Sequence, residues 1–134
     1  MAELNRDVYG IYKKVYPSGV TMMGANSLIG EEVYNQKEEH LGTIKEFMID
    51  MNSGKIAYAI MSMAGIFSSN RLFAVPLNCL KHDYSKRKFL LNIEADRLNA
   101  APSFEQDNWP DLASETTISE ITAAYGRESW AEGM

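Results

Sequence analysis

Apolar and polar positions alternate most clearly between Leu41 and Pro76, and that stretch predicts the centre of the fold. L-G-T-I-K-E-F-M-I-D and K-I-A-Y-A-I-M-S-M place Ile44, Phe47, Met48 and Ile49, then Ile56, Tyr58, Ile60, Met61 and Met63, in two strand-like runs. Asn52-Ser53-Gly54 between them is hairpin chemistry, with Gly54 free to take the positive φ that a short loop with a bulge requires. In the first run the alternation slips. Ile44 and Met48 share a parity interrupted by the charged Glu46, while Phe47 and Ile49 take the other, so a bulge near Lys45–Glu46 is expected. The second run is apolar on both parities, Ile56, Tyr58 and Ile60 against Ala57, Ala59, Met61 and Met63. One face lines a core, and another element is expected to lie against the outside.

Shorter elements flank this hairpin. Val33 and Tyr34 read as a strand leading into the polar turn Asn35–Glu39, and Leu72 to Val75 as a strand ended by Pro76, which cannot donate to a ladder. Cys79–Asp83 and Lys88–Ile93 make a second hairpin across the charged turn Tyr84–Arg87. E-A-D-R-L-N-A-A is a helical turn stopped before Pro102. Thr117-Ile118-Ser119-Glu120 has capping-box spacing, Ile118, Ile121 and Tyr125 fall on one face, and Gly126 supplies a stop, so a helix is expected over about 117–125. The sum is a mainly β protein: a small closed or partly open antiparallel β-barrel of about six strands, with short C-terminal helical segments. Residues 1–25 form an N-terminal extension, 26–102 the barrel, and 103–134 an acidic C-terminal segment with the short helix.

Charge is unevenly placed along the chain. The net charge is −5; residues 26–102 balance nine acids with nine bases, whereas residues 103–134 set seven acids against Arg127 alone. Phosphate-backbone binding needs a clustered basic face. Only Lys81, Lys86, Arg87 and Lys88 offer one, and that run reads as a solvated turn, so nucleic acid is not expected as a partner. No basic segment followed by an apolar run opens the chain, and no apolar run approaches the roughly 18 residues that a membrane span needs, so a cytoplasmic protein is expected. The single cysteine, Cys79, has no internal partner and fits a reducing compartment.

A search for chemistry returns little. Cys79 reads as a small buried apolar residue, His40 as a solvated turn residue beside Glu38 and Glu39, and His82-Asp83 as a polar pair on the surface of a strand. Glu31-Glu32 and Glu38-Glu39 point apart in a strand, which is poor geometry for shared acid–base work. There is no phosphate-cradling glycine loop and no metal-ligand spacing. No catalytic, cofactor-binding or metal site is therefore expected.

N-S-L-I-G-E-E-V-Y-N at 26–35, L-G-T-I-K-E-F-M-I-D at 41–50, S-G-K-I-A-Y-A-I at 53–60 and L-F-A-V-P at 72–76 resemble a PRC-barrel domain. That family is named for the cytoplasmic part of the photosynthetic reaction centre H subunit. A-P-S-F-E-Q-D-N-W-P-D at 101–111 resembles the segment that follows the barrel in free-standing bacterial members. The resemblance implies a protein-interaction module with no catalytic residue set attached to the fold. Combined with the Tyr- and Met-rich residues before Asn26 and the apolar loop residues, it leads to an expectation of a non-catalytic, self-associating protein. Its contacts would come from Tyr9, Tyr12, Tyr16, Ile66, Phe67 and Trp109. The alternative is a proton-handling or small-ligand-binding accessory protein of a redox or membrane complex, motivated by Glu38, Glu39 and His40 and by His82 and Asp83.

Overall fold

The alternation on either side of Gly54 becomes a long two-stranded ribbon from which the other strands extend. The computed structural model describes residues 9–10, 12–64 and 71–126. In chain order the elements begin with β1 (Lys14–Val15), β2 (Thr21–Met22), α1 (Ala25–Leu28) and β3 (Glu32–Tyr34). The ribbon follows as β4 (His40–Asp50) and β5 (Lys55–Met63), then β6 (Arg71–Pro76) and a 3-10 turn at Leu77–Cys79. The chain continues through β7 (Leu80–Asp83), β8 (Lys88–Leu91), α2 (Ala95–Asn99), β9 (Phe104–Glu105) and α3 (Glu115–Tyr125).

Seven strands form one sheet in the order β7-β8-β3-β4-β5-β6-β9, and β1 and β2 pair separately. Neighbours run antiparallel except β3 and β8, which are parallel, with Val33 opposite Phe89 and Tyr34 opposite Leu90. The fold is mainly β, as expected, while the closed form of an all-antiparallel barrel of about six strands is not what the described residues form. The sheet has seven strands, one pair is parallel, and among the described residues the ladder ends at β7 and β9 without closing on itself. Local alternation identifies strands but does not say which distant ones meet, and β8 reaches β3 only after β4 to β7 have intervened.

Within β4 and β5 the sequence pattern is followed closely. Gly54 takes φ 79°, and its N–H donates to the Asp50 carbonyl at 2.7 Å. The register shifts between Ile44 and Glu46, and again between Met48 and Ile49, so β4 is bulged where the alternation slipped. The bulge carries Lys45 out of the count, which lets Ile44 and Phe47 both be buried although they lie three apart. At Gly42 the neighbouring strand leaves no room for a side chain. A Cβ built there would stand 2.1 Å from the Ser62 carbonyl oxygen and 2.7 Å from Met61 Cγ, so no larger residue fits without moving backbone.

In the middle of β5, Tyr58, Ala59, Ile60 and Met61 are all buried, as apolarity on both parities foretold. The C-terminal segment provides part of the cover. Ile121 and Tyr125 of α3 join the same cluster as Ile60, Phe73 and Val75, the Tyr58 hydroxyl donates to the Leu112 carbonyl at 3.2 Å, and Cys79 Sγ lies 3.4 Å from the Gly126 carbonyl. Helix α3 starts two residues before its expected position. Ser114 caps it by accepting from the Thr117 N–H at 3.1 Å, and Gly126 ends it with φ 77°. No described helix is long and apolar enough to cross a membrane.

Candidate functional site

Strand β7 alternates Leu80, Lys81, His82 and Asp83, and its pairing sets His82 opposite Phe89 of β8. His82 therefore shares a parity with the apolar Leu80 and turns inward. Its side chain is only 10 % exposed, as is that of Glu31, which corrects the expectation of a surface histidine. The imidazole meets Phe89, Tyr84 and Tyr12 edge-on, with ring centroids 4.7, 5.0 and 5.7 Å away. Its Nε2 lies 2.7 Å from Glu31 Oε1 and 3.0 Å from the Tyr12 hydroxyl. An ionised carboxylate can only accept, so Nε2 carries a proton and donates it to Glu31. Nδ1 on the far side of the ring is buried and has no hydrogen-bond partner.

The three side chains are brought together by three different elements. Glu31 sits just before β3, where Gly30 at φ 98° turns the chain; the Gly30 N–H donates to the Ile44 carbonyl and the Ile44 N–H to that of Glu31, pinning this corner to β4. Tyr12 comes from the approach to β1. Arg87 lies over its ring at 4.0 Å, and Lys13 lies over that of Tyr84 at 4.5 Å. Lys13 and Arg87 both hold positive φ, 54° and 52°, a conformation that non-glycine residues adopt at some cost. Burial first, then the hydrogen bond and the negative charge of Glu31, push the Tyr12 phenol well above its ordinary value. That phenol is a proton donor at neutral pH and a poor nucleophile.

The neighbouring glutamate serves a second histidine. Glu32 Oε1 bonds His40 Nε2 and also accepts from Thr43 Oγ1 at 3.0 Å, in a solvated setting beside the Tyr34 ring. Glu31 and Glu32 point apart, as expected, and each holds its own imidazole. Cys79 is buried and, as the single cysteine of the chain, has no internal disulfide. Among the described residues no group of three or more His, Cys, Asp or Glu is placed to hold a metal ion.

Of the four described contact residues picked from the sequence, Tyr9, Tyr12, Tyr16 and Trp109, only Tyr12 enters this cluster. Tyr9 is 84 % exposed, and Tyr16 is also on the surface. Trp109 stands at the opposite edge of the sheet, beyond β9, with its ring 4.9 Å from Phe104 and its Nε1 donating to the Gln106 carbonyl at 2.7 Å. Ile66 and Phe67 lie outside the described residues. Tyr84 and Phe89 were not singled out as site residues, and Glu31 was weighed only as half of the Glu31-Glu32 pair. The available signal was the shared parity of His82 with Leu80.

The family model for the PRC-barrel domain matches residues 20–98, more than half of the chain. The chain belongs to the PRC-barrel family. Within the PRC-barrel match lie Glu31, His82 and Phe89, whereas Tyr12 and β1 precede it. Among solved structures it is similar to one described as a 16S ribosomal RNA processing protein, RimM, of Pseudomonas aeruginosa, at 20 % identity and a TM-score of 0.41. That likeness covers 61 % of this chain and spans half the length of the RimM chain. No curated protein matches the chain. The surface on either side of the start of the PRC-barrel match carries exposed apolar residues. Val15, Tyr16, Val20 and Met22, all on or beside the β1–β2 pair, are exposed, with Val15 and Met22 at 59 % and 58 %.

Proposed function

We propose that this PRC-barrel chain is a non-catalytic interaction module that self-associates through its β1–β2 hairpin. The exposure of Val15, Tyr16, Val20 and Met22 on one small hairpin carries the reading. Two strands of two residues each are marginal in water without cover, and adjacent exposed apolar side chains of this size mark contact surfaces. The Tyr12–His82 contact fastens the base of this hairpin to β7, so the apolar tip is presented by a fixed support. A protein surface suits it better than a nucleic acid does. Lys13, Arg87 and Lys88 lie over the rings of Tyr84, Tyr12 and Tyr34, and the C-terminal segment is acidic.

Light scattering of the full chain through the micromolar range tests this. The double substitution Val15→Glu with Met22→Glu changes only exposed side chains, so it should leave the fold intact and lower the mass to that of one chain. A wild-type protein that stays monomeric throughout the range overturns the proposal. The proton-handling alternative has less support, because a relay through His82 needs a partner on each ring nitrogen and Nδ1 has none.

A further inference from the structure

Charge is divided between the two edges of the seven-stranded sheet. At the β7–β8 edge Lys81, Lys86, Arg87 and Lys88 stand against the single acid Asp83, and the adjoining β1–β2 hairpin adds Lys13 and Lys14 with no acid between Tyr12 and Gly24. Tyr12, Lys13, Tyr84, Ser85 and Arg87 line one open groove, so the two cations held over the tyrosine rings lie together beside the hairpin. At the β6–β9 edge the balance reverses. Between Leu98 and Gly126 the chain holds Glu105, Asp107, Asp111, Glu115 and Glu120 and no base. Arg71 of β6, opposite Glu105, offsets one of them. Asp107, Asp111 and Glu115 are exposed and form no ion pair among the described residues. Trp109 is exposed among these acids, and so is Ile118, one turn along α3 from Glu115. Each edge therefore sets apolar side chains within a charged rim, the usual anatomy of an interface, and the two rims have opposite sign.

We infer that the basic edge, with its hairpin, docks on the acidic edge of a second copy of the chain. Val15 and Met22 then meet the apolar surface around Trp109 and Ile118, while Lys13, Lys14 and Arg87 face Asp107, Asp111 and Glu115. This inference rests on the self-association proposed above and names the surface that receives the hairpin. Hairpin against hairpin is the poorer contact. Lys14 and Met22 are directly opposite each other on the two strands, so covering Met22 with its own counterpart brings Lys14 toward a second Lys14. Like charges across an interface suppress pairing. On the acidic edge the same lysine finds carboxylates. The charged rims fix orientation and choice of partner, and the apolar centres supply most of the strength.

Sedimentation equilibrium of the full chain tests it with two charge reversals. Lys14→Glu with Lys86→Glu reverses the basic edge, and Asp107→Lys with Glu115→Lys reverses the acidic one; all four side chains are exposed, and circular dichroism checks that each variant folds. Under conditions where the wild type associates, each variant alone should fall to the mass of one chain. Mixed in equal amounts the two should associate again, because each supplies the intact edge that the other lacks, and all four substitutions in one chain should restore association as well. If either variant does not fold, salt carries the test: from about 0.01 M to about 0.15 M the Debye length shrinks from about 30 to 8 Å, and wild-type association should weaken about tenfold. An acidic-edge variant that associates like the wild type, a mixture that stays monomeric, or association indifferent to salt would overturn this inference and leave self-association standing. A wild type that is monomeric throughout overturns both.

Discussion

Replacing Glu31 tests the cluster most directly, because this carboxylate joins three elements. It accepts from His82 Nε2 at 2.7 Å, and its hydrogen bond with Tyr12 contributes to holding that phenol protonated. Both Glu31 and His82 side chains are nine-tenths buried, so water screens the contact poorly. A hydrogen bond to a charged group contributes about 1.5–3 kcal/mol, against about 1 kcal/mol for a neutral one. Glu31→Gln keeps an amide oxygen for the imidazole and should cost about 1 kcal/mol. Glu31→Ala strips the acceptor from two buried donors at once. Tyr12 and His82 can still bond each other, so the loss should be nearer one and a half such bonds than two, about 3 kcal/mol. For a chain of this length that corresponds to a fall in Tm of roughly 10 °C. Urea unfolding followed by far-ultraviolet circular dichroism, with m unchanged, measures both variants. Glu31→Ala within about 0.5 kcal/mol of wild type, the usual range for a surface substitution, would refute the view that Glu31 is a buried hub.

Two further outcomes follow from the ribbon and its turns. Gly42→Ala puts a methyl 2.1 Å from the Ser62 carbonyl oxygen, so β4 and β5 must part, and a loss of about 2–3 kcal/mol in the same unfolding assay is expected. Asp50, Glu39 and Asp83 are each held below the ordinary carboxylate value, chiefly by hydrogen bonds: Asp50 from the N–H groups of Asn52 and Ser53, Glu39 from Asn35 and Ala95, and Asp83 from Ser85 and Lys86. A depressed folded pKa gives stability that is present above the unfolded values of 3.8 and 4.5 and is lost as pH falls through the folded ones. Thermal midpoints should therefore drop on acidification below about pH 4.5, and Asp50→Asn should flatten part of that slope.

How much of this was legible depended on how far apart in sequence the partners were. The turn at Gly54, the bulge near Lys45 and the double apolar parity of β5 are written in neighbouring residues, and all three are present in the structure. The cap of α3 was misplaced by one turn because Thr117-Ile118-Ser119-Glu120 and Ser114-Glu115-Thr116-Thr117 both offer a hydroxyl where a cap could stand. The earlier one wins, placing Ile121 and Tyr125 against the core and leaving Ile118 outside. The parallel β3–β8 pair has no local signature. His82 was misplaced for a related reason. Its inward parity with Leu80 was present in the sequence, but the carboxylate that makes burial tolerable lies fifty-one residues earlier, before β3.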